Sequence, residues 1–165
     1  MSIVRTYRFS EEIARATDYR EAWYDEAVAE FVVHFGAVGQ PGTTKVESNI
    51  DSEAGEELLA GFSAQCIEDG YRELTEDDHQ LLTVSYRLKG STPTSVEETL
   101  LRKLETEMTH RLAWRGLGEV QETRPADNAV ELLIAAVHAR KAEAEIPAAA
   151  KTAGVQLSKI TVARG

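Results

Sequence analysis

The chain has 165 residues and a formal net charge of −10, long enough for one medium domain or two small ones and too short for a large multi-domain enzyme. Apolar residues make up 42% and charged residues 28%, the balance of an ordinary globular protein, which argues against wholesale disorder and against a fibrous repeat. The acidity is confined to the first half: residues 1–79 hold 6 Lys or Arg against 18 Asp or Glu, whereas residues 80–165 hold 12 against 10, so the first half repels phosphate backbones.

In chain order, Val4, Tyr7 and Phe9 predict an opening strand, and Phe31 to Phe35 a stronger one. Residues Glu21 to Glu30 between them fit either a strand or a helix period. Lys45 to Ile50 reads as a third strand. Asp51-Ser52 then caps a helix whose buried stripe includes Leu59, Phe62 and Cys66, and which ends at Gly70 with Tyr71 beyond it.

The stretch Phe31 to Gly42 reads FVVHFGAVGQPG and is followed by a short strand, the helix from Ser52 to Asp69 and then Gly70-Tyr71. In this order and spacing, residues 3–74 resemble the WGR domain, a small module of poly(ADP-ribose) polymerases and of various bacterial proteins. The resemblance implies an antiparallel sheet with one helix over residues 1–74, makes Glu21 to Val28 a strand anchored by Trp23, and marks a binding loop of His34, Phe35, Gly36, Val38, Gly39, Gln40 and Gly42. In the polymerases the domain contacts DNA ends and neighbouring domains. Here Phe35 stands in place of the family's Trp and Ala37 in place of its Arg, so the cation that would meet a phosphate is missing.

Residues 75–80 are polar, acidic and aperiodic, and form the expected linker. From there Leu82, Val84, Tyr86 and Leu88 alternate with polar residues, the period of a strand with one wet face. A helix follows from about Ser95 to Trp114 on the stripe Val96, Leu100, Leu104 and Met108. Ser95 and Glu98 have capping-box spacing, and Gly116 supplies the stop. Gly118 to Thr123 predicts a short strand, Asp127-Asn128 a turn, and Val130 to Val137 a central strand. Ala139 to Ala153 reads as a helix that Pro147 should kink or restart, and Lys159 to Arg164 as the last strand. The order is β-α-β-β-α-β, so residues 81–165 are expected to form a ferredoxin-like α+β sandwich with one sheet face left open.

Few residues suggest chemistry. The four histidines, His34, His79, His110 and His138, include no two at metal-ligand spacing on one predicted element, and Cys66 has no second cysteine, so no metal and no cofactor are expected. Cys66 lies on an apolar stripe and reads as core. Gly116-Leu117-Gly118 lacks the lysine and the strand-before-helix setting of a phosphate loop. His138, at a strand end, makes a candidate pocket with Glu119 and Glu131 as acid/base partners. With no apolar leader at the amino terminus and no apolar run beyond Leu132 to Val137, no membrane association and a cytoplasmic location are expected. The reading is a non-catalytic binding or regulatory protein whose partner is another protein or a second copy of itself. Two alternatives stand beside it: a nucleic-acid-binding regulator using C-terminal arginines, disfavoured by the acidic first half, and a small acid/base enzyme centred on His138.

Overall fold

Eight strands and three helices, described over residues 2–165 of a computed structural model, build two four-stranded antiparallel sheets that share no strand. The chain divides accordingly into two units, the first ending at Thr75 and the second spanning Glu76–Gly165. This is an α+β protein. The division falls inside the expected linker, part of which forms a short 3-10 turn at Glu76–Asp78. Gln80 belongs to the second unit's first strand rather than to the linker.

The first unit is a meander of β1 (Ile3–Ser10), β2 (Arg15–Asp25), β3 (Glu30–Ala37) and β4 (Thr43–Ser48), paired in sequence order, followed by α1 (Ser52–Glu68). Residues Glu21 to Glu30 are therefore neither a helix nor a strand to Val28: β2 starts earlier, at Arg15, and the chain turns through Glu26 to Ala29. Asp51 caps α1 by accepting from the Ala54 amide, and left-handed Gly70 (φ 86°) ends it. The helix lies on the face of β2 that carries Arg20, Ala22 and Tyr24. Gly55 sits directly on the Tyr24 ring, where a Cβ would come within 2.6 Å of Cγ. Arg20 donates to Asp69 at 2.6 Å and lies over the Tyr71 ring at 4.1 Å. Burial is the largest single influence on the Arg20 guanidinium and lowers its pKa, but the bond to Asp69 together with Tyr71 and Cys66 outweighs it and raises the group above its usual value, while Arg20 and Gln65 hold the Asp69 carboxyl below its usual range. Cys66 is buried in this helix interface, whereas Leu59 and Phe62 are half-buried.

The second unit contains β5 (Gln80–Arg87), α2 (Ser95–Trp114), β6 (Gly118–Ala126), β7 (Ala129–Ala136), α3 (Ala139–Ala153) and β8 (Ile160–Arg164), with strand order β6-β7-β5-β8. This is the split β-α-β order of a ferredoxin-like sandwich, with β7 and β5 in the middle. Leu82, Val84 and Tyr86 of β5 and Val130, Leu132 and Ile134 of β7 are buried together with Leu104, Met108 and Leu112 of α2 and Ala142, Ile146 and Ala149 of α3. Small alanines on α3 let helix and sheet approach closely, and two polar ties fix which face they cover. Thr123 on β6 donates to Glu105 of α2, and Arg164 on β8 to Glu143 of α3.

Two local expectations need correction. The capping box of α2 is Thr94 with Glu97, one residue before Ser95 and Glu98. In this frame one Glu97 oxygen takes the Thr94 amide and the other the Lys89 amide, a bond that Glu98 would forgo. Pro147 neither breaks nor restarts α3, which is continuous through it. Pro147 is exposed, so the carbonyl left without its amide donor, that of Glu143 one turn earlier, is on the side water can reach.

Candidate functional site

Register decides what the His34–Gly42 loop can do. On the face of the first sheet opposite α1, Arg5, Glu21, His34 and Thr44 stand side by side across the four strands, and Tyr7, Tyr19 and Gly36 form the next row. His34 is fully buried. Its Nδ1 lies 2.7 Å from Glu21 Oε1 and its Nε2 2.5 Å from the Pro41 carbonyl oxygen. The Tyr19 hydroxyl lies a further 3.3 Å from Nε2, so both ring nitrogens have polar partners. Arg5 Nε donates to the other Glu21 oxygen at 2.8 Å, and the Tyr19 hydroxyl donates to the Gln40 carbonyl at 2.7 Å.

These bonds pull the loop inward. Val38 is buried, and its amide donates to the Thr17 carbonyl. Gly36 and Gly42 pack against each other and against the Tyr19 hydroxyl, so closely that a Cβ on Gly36 would fall 2.8 Å from Gly42 Cα. Gly39 and Gly42 adopt left-handed backbone, with φ 98° and 70°. Of the expected binding loop, His34 and Val38 are buried, Phe35, Gly36 and Gly39 are half-buried, and Gln40 and Gly42 are exposed. Ala37 and Pro41 of the loop are exposed as well, and Lys45 lies 5.5 Å from the Phe35 ring. Tyr19, Glu21 and Arg5 were missed in the sequence reading. Their signal is the pairing of Glu21 with His34, which follows once the Glu26–Ala29 turn is placed.

The structure does not gather His138, Glu119 and Glu131. His138 is the N-cap of α3 and accepts from the Lys141 amide through Nδ1 at 3.3 Å. Glu131 lies at the far end of β7, roughly 20 Å away at the rise of an extended chain, and accepts from Arg124 at 2.8 Å. Glu119 is exposed on the edge strand β6, opposite Ala135. A cavity of about 540 Å³ does open between α2 and the β6–β7 hairpin, but its walls are Leu88, Pro93, Leu101, Pro125 and Val130, with Arg102 among the lining residues and none of the three candidates. Four of the C-terminal arginines are held in ion pairs. Arg111 and Arg115 converge on Glu145, Arg124 pairs with Glu131, and Arg164 pairs with Glu143.

The sheet face of the second unit that no helix covers has a different character. Leu81 is 41% exposed there, with Ala135 beside it on β7. The next row holds Leu133, Thr83 and Ala163, and the next Glu131, Ser85 and Thr161. Side chains on β5 and β8 are therefore small apart from Leu81 and Arg87, and acidic Glu119, Glu122 and Glu131 line the β6 side. Among the described residues no three His, Cys, Asp or Glu side chains group as a metal site, and no helix is long and apolar enough to cross a membrane. Comparison with family models, with curated proteins and with solved structures finds no match to this chain.

Proposed function

We propose that the chain is a non-catalytic binding protein that receives a protein partner on the helix-free sheet face of its second unit. The observation that carries this reading is Leu81, an exposed leucine near the start of β5 with Ala135 beside it, next to a row of Leu133, Thr83 and Ala163 and a further one with Ser85 and Thr161. A face whose β5 and β8 side chains are mostly short, with an exposed leucine at one end, suits close approach by a second sheet or a helix, and burying the leucine contributes about 1.5–3 kcal/mol. The acidic border of Glu119 and Glu122 favours a partner with basic residues at its rim, Glu131 being paired with Arg124. Further support is chemical: of the acid/base candidates, His138 caps a helix and Glu131 is in a surface ion pair, and Glu119 is not gathered with them. A WGR-like origin of the first unit agrees with its strand-helix order and its Gly70-Tyr71 close, while a DNA-end contact has no cation in the loop to support it.

The test is a comparison of the intact chain with Leu81→Asp and Ala163→Arg variants in affinity capture from cells of its source. The variants change exposed side chains, so unchanged thermal melting confirms the fold. A protein held by the wild type and released by both substitutions is the expected result, with its direct titration showing roughly tenfold or greater weakening. Equal capture by wild type and variants would remove the proposal. A nucleic acid captured instead, in a salt-dependent manner, would favour the regulator reading.

A further inference from the structure

The four outer strands of the two sheets differ in how they resist pairing with another strand. On β1, Tyr7 exchanges backbone hydrogen bonds with Arg72, and the register shifts between Arg8 and Phe9. On β6, the register shifts between Val120 and Glu122 and Pro125 removes a donor. β8 has only five residues. β4 has no such protection. It runs for six residues without proline or bulge, pairs regularly with β3, and is exposed at every position. Gly42 before it and Asn49 after it adopt left-handed backbone, with φ 70° and 61°, so the open edge is confined to Thr43–Ser48.

We propose that β4 is a self-association edge: it pairs antiparallel with β4 of a second copy about a two-fold axis at Val46, joining two four-stranded sheets into one. The register follows from charge. A two-fold axis normal to the sheet sets each residue opposite one on its own face, because successive side chains alternate between faces. Centred on Val46, Lys45 meets Glu47 of the second copy twice, Thr44 meets its Ser48, and Val46 meets itself. Centred on Lys45 or on Glu47, like charges stand directly opposed, which disfavours pairing. Six residues thus admit one charge-matched register.

The faces agree with the edge. Ile3, Trp23, Val32 and Val46 are cross-strand neighbours on one face of the sheet, and Val46, half exposed at 50%, is the open end of that apolar row. Pairing at Val46 continues the row into the same four residues of the second copy. An edge lysine deters unrelated strands; here its counter-charge is two residues along the same strand, so only a chain of matching pattern satisfies it. This surface is separate from the sheet face of the second unit, and the two readings fail independently.

Sedimentation of the full chain over a wide concentration range tests the proposal. The wild type is expected to dimerise, and Lys45→Glu or Glu47→Lys, each turning two attractions into two repulsions, to weaken association roughly tenfold or more. An equimolar mixture of the two variants should restore the dimer, because each supplies the charge that the other lacks, and the double exchange Lys45→Glu with Glu47→Lys should restore it within one chain. Circular dichroism confirms folding, and restoration in the mixture or the double exchange separates lost pairing from lost structure. A wild type that stays monomeric at all concentrations, single variants that dimerise as tightly as wild type, or a mixture that stays monomeric would each overturn the proposal.

Discussion

The first unit has one helix for its sheet and the second has two, and the difference is plainest on the faces that no helix covers. In the first unit that face carries the polar row Arg5, Glu21 and His34, sealed by the Val38–Gly42 loop. In the second unit the helix-covered side holds the core, with Leu104, Met108, Leu132 and Ile134 fully buried, and the other side stays open at Leu81. A polar row of this kind is exacting where an apolar core is forgiving. Sliding β2 against β3 by two residues would set Glu21 opposite Val32 or Gly36 and leave a buried charge unpaired. Leucines and alanines displaced by the same distance would still be apolar against apolar. In this pair the polar row fixes pairing, and the apolar layer supplies most of the burial.

One tryptophan in each unit, Trp23 and Trp114, makes the contrast measurable by fluorescence. The largest effect is expected at Glu21. Glu21→Ala leaves Arg5 and His34 facing each other without their carboxylate, a loss of about 3–5 kcal/mol by the usual cost of breaking a buried pair. It should lower the denaturant midpoint seen by Trp23, and a change below about 1 kcal/mol would mean that the row is dispensable. A smaller loss is expected in the second unit: Leu104→Ala removes a fully buried side chain from α2 and should cost about 3 kcal/mol, seen by Trp114. If Trp23 reported the same shift, the two units would not unfold as separate bodies.

The smallest effect is a pH dependence at the α2 cap. The Thr94 amide, followed by that of Lys89, holds the Glu97 carboxyl below its usual range, against the opposing cost of burial. A carboxyl depressed in the folded state contributes stability that is complete above the unfolded value, about 4.3, and is lost as pH falls through the folded one. Glu97→Gln should therefore flatten the acid side of the stability profile read by Trp114. An acid limb as steep as that of the wild type would assign the effect to other carboxyls of the second unit.

The second unit was largely legible because its strands alternate cleanly. Leu82, Val84 and Tyr86 face the helices while Thr83, Ser85 and Arg87 do not, and the pattern needs no tertiary knowledge. β2 hid because it breaks that rule. Glu21 occupies a buried position between Tyr19 and Trp23, so the apolar period that betrays a strand is interrupted by the charge that the polar row requires. For the same reason nothing local to residues 31–42 says that His34 points inward, which depends on Glu21 across the hairpin. The cap of α2 slipped by one residue because Thr94 and Ser95 are equally good caps, each with a glutamate three residues on. The amide of Lys89, distant in sequence, decides between them. His138 as a cap is legible from its place directly before a helix.

The pairing of Tyr7 with Arg72 has a topological consequence. Backbone hydrogen bonds of 2.7 and 2.9 Å join them, so the point where the chain enters the first unit and the point where it leaves are close neighbours. A module whose ends meet can be spliced into the surface loop of a host without prising the host's own chain apart, and it can be cut at a hairpin and rejoined end to end with a short bridge.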